Sequence, residues 1–203
     1  IIGWDDCAFG FRQKYVTIVG TVFRGASFLD GLLSTKITKD GMDGTEKIVE
    51  SILHSRHYDQ LSYIMLDGIT LGGFNVVDIK KIFEKTGLPV IVALRKMPEM
   101  KKFLAAMKKL PNYGKRTKAV KAAGKFFAYR DLFCEKSLSR QSFLHHKPPV
   151  LDWWYCLYQK SGLNRNECME LLKLTCVRSI VPEPLRIAHL IASGLSGESH
   201  GGA

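Results

Sequence analysis

Three acidic positions and a glycine-rich turn mark where this 203-residue chain could do chemistry. The short apolar run 63–66 stops at Asp67-Gly68, a glycine-rich turn follows, and a helical pattern begins near Val76. Apolar runs of this length followed by helices are buried parallel strands, and open α/β sheets bind ligands at the carboxyl ends of such strands. A carboxylate there needs a partner, a proton or a metal, although Asp67 could equally cap its own turn. The opening Ile1-Ile2-Gly3-Trp4 is a second short strand and ends in Asp5 and Asp6. Side chains alternate across a strand, so only one of these two can face a given site. Glu46, three residues after Asp43 at a helix start, fits the Asx form of a capping box or a third acidic ligand. Carboxylates brought together repel, and a divalent cation relieves the repulsion. Hard oxygen ligands of this kind suit Mg²⁺ or Mn²⁺.

The elements that must position these groups follow from the hydrophobic pattern. Residues 15–24 and 28–37 are β-branched and apolar around Gly25-Ala26-Ser27, so they form a hairpin and, with the first strand, an antiparallel meander. A turn-rich stretch, 38–44, leads into a helix with Ile48, Val49, Ile52 and Leu53 on one face. After Asp67 comes a helix at 76–85, with Val77, Ile79, Ile82 and Phe83 as core residues, stopped by Gly87 and Pro89. Residues 89–94 form another buried strand. A helix at 98–110 opens on Pro98 and carries the stripe Met100, Phe103, Leu104, Met107 and Leu110. Strands are expected around 126–129 and 152–158, and His145-His146 lies in a loop where neighbouring histidines do not make a metal pair. Asn164 and Glu167 form a second capping box, ahead of a helix burying Cys168, Leu171, Leu172 and Thr175. Pro182-Glu183-Pro184 then starts the last helix, striped by Leu185, Ala188, His189 and Ala192, on which His189 reads as a core histidine. From Ser193 on, Gly and Ser predominate and the chain should loosen. Three antiparallel strands, then helix, strand, helix and strand, make the fold class α/β: a ribonuclease H-like fold with a mixed central sheet and helices on both faces. The first strand and the Asp67 strand are neighbours at its centre, which brings Asp5 or Asp6 close to Asp67 and lets Glu46 approach. Residues 1–195 form one domain, and 196–203 a flexible Gly/Ser tail.

Composition narrows the partners. The net charge is +11 and the pI about 9.5, which favours an anionic partner, nucleic acid first. Nine Lys or Arg and no acid lie between Lys101 and Lys125. This is either a solvated helix face or a phosphate-binding surface, with Lys108, Lys109, Lys115, Arg116 and Lys118 as its contacts. No apolar run approaches the roughly 20 residues of a membrane span, and no signal peptide is visible. Five cysteines without a C-x-x-C pair fit reduced thiols in the cytoplasm better than a zinc site. No phosphate-binding Gly loop, nucleophile elbow or H-E-x-x-H motif is present. The oligomeric state is left open.

Four stretches carry a family resemblance. Gly3-Trp4-Asp5 resembles the G-x-D first strand of endonuclease V, Glu46 its helix-start glutamate, and Met65-Leu66-Asp67-Gly68 its V-D-G strand end. Pro182-Glu183-Pro184-Leu185-Arg186-Ile187-Ala188-His189 resembles its P-E-P-T-R-x-A-[DH] signature. On these the chain resembles the archaeal domain-of-unknown-function family 99 and, less closely, endonuclease V. The resemblance implies that Asp5, Glu46, Asp67 and His189 surround a metal, with Arg95 or Lys96 close to the phosphate. Lys39-Asp40-Gly41-Met42-Asp43-Gly44 stands where endonuclease V has its P-Y-I-P wedge, and Thr70-Leu71-Gly72-Gly73-Phe74-Asn75 replaces its H-P-R-x-x-G-x-A-x-H stretch. The metal set is kept and the base-reading set is not, which argues against inosine-directed cleavage. The expected function is a Mg²⁺- or Mn²⁺-dependent phosphodiesterase acting on nucleic acid. The alternatives are a non-catalytic nucleic-acid-binding protein on the same scaffold and a small-nucleotide hydrolase.

Overall fold

A computed structural model describes residues 1–130 and 155–197. Its seven-stranded sheet runs, edge to edge, from Phe28–Thr38 through Tyr15–Arg24, Ile2–Asp6, Ile64–Asp67, Val90–Leu94 and Tyr155–Ser161 to Phe127–Arg130. Strands β1 (Ile2–Asp6), β2 (Tyr15–Arg24) and β3 (Phe28–Thr38) form the antiparallel meander. β4 (Ile64–Asp67) and β7 (Val90–Leu94) add to β1 in parallel. β9 (Tyr155–Ser161) and β8 (Phe127–Arg130) close the far side antiparallel. A small hairpin, β5 (Thr70–Leu71) and β6 (Asn75–Val76), stands apart as a second sheet.

Alternation along the three central strands builds two cores. Ile2, Trp4, Ile64, Leu66, Val90 and Val92 point to one face, which α1 (Gly44–Leu53) and α2 (Ile79–Thr86) cover with Ile48, Ile52, Ile79 and Ile82. Met65, Ile91 and Ala93 point to the other, under α5 (Arg165–Thr175) and α6 (Glu183–Leu195), which contribute Cys168, Leu172 and Leu185. With helices on both faces, the central strands are apolar and buried up to their carboxyl ends, where Asp5, Asp6 and Asp67 lie. The four described cysteines are free and buried, and no helix among the described residues is long and apolar enough to cross a membrane.

Several local expectations need correction. Asp43 does not cap α1 with its side chain: it sits in the helical region and turns back to accept from the Thr38 N–H and hydroxyl. The first α1 amide, that of Gly44, is met instead by Asn75 Oδ1 from the hairpin, so there is no capping box with Glu46. Leu53 is exposed, because α1 ends there and only Ile48, Val49 and Ile52 reach the core. α2 starts at Ile79 rather than Val76: residues 75–76 pair in β6, and the Asp78 carboxylate accepts from the amides of Lys80 and Lys81 as N-cap. The expected helix 98–110 is shorter, α3 (Met100–Met107), with Pro98 just ahead of it, and a separate helix α4 (Tyr113–Ala122) follows the turn at Pro111-Asn112. Ser193 and Gly194 are still helical, so any loosening starts after Leu195. The second capping box is present in full on Asn164 and Glu167, and Gly87 and Gly162 take the positive φ expected of their turns. His145, His146 and residues 152–154 of the expected last strand lie outside the described residues.

Candidate metal centre

β1 and β4 pair with Gly3 opposite Met65 and Trp4 opposite Leu66, so Asp5 and Asp67 come side by side at the carboxyl ends of the two strands. Asp5 shares the face of Gly3, the face on which α6 lies. Asp6, one residue on, points the other way and accepts from the Gly72 N–H at 2.7 Å, tying β1 to the glycine turn after Asp67. The two adjacent carboxylates therefore divide into one at the site and one in a loop.

α6 brings the third group. A Cβ on Gly3 would lie 2.7–2.9 Å from Pro184 atoms, so the helix start rests directly on the β1 backbone. The buried Thr21 hydroxyl, one strand over, donates to the Pro184 carbonyl at 2.6 Å. From that anchor, two strand residues reach Asp5 and five helical residues reach His189, both about 7 Å along. The geometry closes there: His189 Nδ1 lies 2.8 Å from Asp5 Oδ2. Glu183, almost fully buried, is held bidentately by Arg186 and also pairs with Arg178. Its carboxyl stays below the usual range, chiefly through the Arg186 hydrogen bonds. The long proline-flanked signature thus locks a helix end, and only its last residue enters the site.

Asp5, Asp67 and His189 each offer a ligand atom within 4.8 Å of one another, which among the described residues is the sole such group. Asp5 is 4% exposed. Burial, then the charges of Asp67 and Asp6, push its carboxyl up to about 8. Asp67 and Asp6 are raised too, in each case first by burial; Arg95 and His189 oppose this at Asp67, and the Gly72 amide at Asp6. Asp5 Oδ1 accepts from the Asp6 N–H at 2.8 Å, yet each of its oxygens keeps a further lone pair. Two crowded, poorly neutralised carboxylates with a neighbouring imidazole are a donor set that Mg²⁺ or Mn²⁺ fits.

The remaining expected residues divide. Arg95, at the end of β7, places Nη2 4.0 Å from Asp67 Oδ2, and the exposed Lys96 follows it. Glu46 is not brought into the group: its carboxylate pairs with Lys81 of α2, and that hydrogen bond works against burial to hold its pKa below the usual value. Lys108, Lys109, Lys115 and Lys118 are exposed on and between α3 and α4. Arg116 is not a phosphate contact. It is 1% exposed, and its guanidinium donates to the carbonyls of Asp40, Gly41, Phe74 and Pro111. An arginine inside a basic run looks like surface; only the meeting of three loops around it reveals a structural hub. Asn75 and Thr21, equally essential to the arrangement, carry no local signal.

Residues 1–196 match the model of the family described as Endonuclease dU. A UPF0215 protein of Methanosarcina mazei is 44% identical over 204 residues, covering 100% of this chain and 94% of its own length. A crystal structure of a protein of unknown function from Archaeoglobus fulgidus is 34% identical and superposes with a TM-score of 0.79, over 97% of this chain and 98% of that one. Endonuclease V of Ciona intestinalis, crystallised with a 24mer DNA containing an inosine followed by a ribo-adenosine, gives a TM-score of 0.54 at 11% identity, over 92% and 81% of the two chains. That last likeness is one of fold.

Proposed function

The chain belongs to the Endonuclease dU family, and from that membership and its carboxylate geometry we propose that it is a divalent-cation-dependent endonuclease acting on DNA at deoxyuridine. The observation that carries the reading is the convergence of Asp5, Asp67 and His189. Asp5 and Asp67 would hold Mg²⁺ or Mn²⁺, which supplies Lewis-acid charge for a phosphoryl oxygen and lowers the pKa of water. His189, hydrogen-bonded to Asp5, holds one proton in common with it and passes a proton to or from the reacting oxygen. Arg95, beside Asp67 and partly exposed, offers its guanidinium to the scissile phosphate, and Lys96 extends that positive edge. Glu46 would join only on release from Lys81 and acts as an auxiliary ligand. Lys108, Lys109, Lys115 and Lys118 grip the flanking phosphates.

The test uses end-labelled single- and double-stranded DNA with one deoxyuridine, one deoxyinosine or neither, with Mg²⁺, Mn²⁺ or EDTA. Metal-dependent cleavage at deoxyuridine is expected, lost to background in Asp67→Asn and reduced by about 10²–10⁴-fold in His189→Ala. Cleavage that persists in EDTA, or full activity in Asp67→Asn, would sink the mechanism.

A further inference from the structure

The metal centre lies at the carboxyl ends of β1 and β4, and the chain leaves that end of β1 through the connection 7–14. This connection borders a groove of about 820 Å³, whose far wall is the end of α6 at Leu195 and Ser196. Its volume lies in the roughly 300–1,000 Å³ range of ligand sites. Cys7, in the lining, clusters with Val19 and Ala192, and Val19 pairs with Asp5 across β1 and β2. Residues paired across two strands share a face. The groove therefore adjoins the Asp5 side of the sheet, with Cys7 about 7 Å of extended chain beyond Asp5.

Phe11 stands at the tip of the connection and is 95% exposed, so its ring adds nothing to either core. The tip is nevertheless held in place. The Gly10 N–H donates to Gln13 Oε1 at 2.7 Å, and the Gln13 N–H donates to the Gly10 carbonyl at 3.2 Å. Lys39, the residue after β3, donates from Nζ to the Phe11 carbonyl at 2.7 Å. The same ammonium lies 4.8 Å from the centre of the Phe11 ring and 5.6 Å from that of Phe9, within cation–π reach of both. Tyr15, also exposed, has Lys14 Nζ 5.4 Å from its ring centre. Residues 7–15 carry Arg12 and Lys14 and no acid. Exposed aromatic rings set among cations are the combination that single-stranded nucleic acid binds: bases stack on the rings and phosphates meet the charges.

Resting on the nucleic-acid reading above, we infer that this connection and its groove are a platform for an unpaired stretch of the strand beside the metal centre. One base stacks on Phe11, and Arg12 and Lys14 meet the adjoining phosphates. Lys39 fixes the tip so that the ring is presented to the strand instead of folding back on the protein. In a duplex both faces of an internal base are covered by its neighbours, so the stacked base must come from a single strand. The platform thus gives the protein a preference for DNA that is unpaired next to the metal centre. It is indifferent to base identity, because every base has a π-face.

The experiment measures, by fluorescence anisotropy in EDTA, the affinity of the protein for a labelled oligodeoxynucleotide of mixed sequence, single-stranded or annealed to its complement. Phe11→Ala is expected to weaken single-strand binding about tenfold or more, with the duplex affinity, the melting temperature and the salt slope unchanged. Phe11→Trp should restore the affinity, and its added indole emission should be quenched by the single strand and not by the duplex. Equal single-strand affinity of Phe11→Ala and the parent, an equal loss on both forms of DNA, or an unquenched emission in Phe11→Trp overturns the inference. The two readings fail separately. Phe11-dependent binding by a protein that cuts nothing in Mn²⁺ keeps the platform and refutes the nuclease, and cleavage at deoxyuridine with an unchanged Phe11→Ala affinity keeps the nuclease and refutes the platform.

Discussion

At the scale of single residues, the site is defined by carboxylates the fold has made uncomfortable. Burial first, and then the charges of Asp67 and Asp6, push the Asp5 carboxyl up from the usual 3.8 to about 8. Its folded pKa lies above its unfolded one, so the native state binds a proton that the unfolded chain has released. The resulting stability is fully present below about pH 3.8 and is lost as pH rises through about 8. A divalent cation competes for the same oxygens, so its affinity must rise over that window as the proton leaves. Melting temperatures in EDTA and in Mn²⁺ at pH 6 and 8.5 check this: the Mn²⁺ stabilisation should be clearly larger at pH 8.5. Asp5→Asn should raise the melting temperature of the metal-free protein at pH 8.5 and abolish the Mn²⁺ effect. An Mn²⁺ shift of equal size at both pH values would count against Asp5 as a ligand.

At the scale of elements, the decisive contact is that of α6 on β1. Gly3 has no side chain to hold the helix away, and Thr21 fixes the Pro184 carbonyl. Gly3→Ala must displace Pro184, which overpacking data put at about 1–3 kcal/mol. Because His189 is carried by that helix, the same change should weaken Mn²⁺ binding, measured by calorimetric titration. Thr21→Val leaves the buried Pro184 carbonyl without its donor and should cost about 1–3 kcal/mol. Gly10→Ala is the control: nothing lies within 4 Å of the added methyl, and stability should move by less than about 0.5 kcal/mol. A fully stable Gly3→Ala protein with unchanged Mn²⁺ affinity would show that the helix does not position the site.

For the molecule as a whole, the basic run serves two purposes that composition cannot tell apart. Lys108 and Lys109 project from the turn after α3 and Lys115 and Lys118 from α4, while Arg116 is buried among carbonyls. Replacing the four lysines by Ala should leave stability within about 0.5 kcal/mol of the parent. It should also reduce the slope of log affinity against log salt by roughly 0.7–0.9 for each lysine that meets a phosphate. Arg116→Met should do the reverse: a stability loss of about 3 kcal/mol or more, with the slope of the folded protein unchanged. Denaturant titration beside salt-dependent DNA binding separates the two, and an unaltered slope in the lysine variant would remove this surface from the interface.

The antiparallel meander, the neighbouring places of the first strand and the Asp67 strand, and so the approach of Asp5 to Asp67, were legible in the chain, whereas the antiparallel addition of β9 and β8 beyond β7 was not. The legible features depend on periodicity, on alternation and on short motifs, all of which are local. His189 was legible only as part of a signature; its spacing on an apolar stripe pointed to the core, where Leu185, Ala188 and Ala192 do lie. Everything that depended on which loop meets which had to wait for the tertiary structure. Asn75 caps α1 from 31 residues away, Arg116 gathers the carbonyls of Asp40 and Phe74, and Lys81 holds Glu46. A hydrogen bond between distant segments leaves no periodic trace, because its partner is chosen by the packing of the elements and not by the neighbours of either residue.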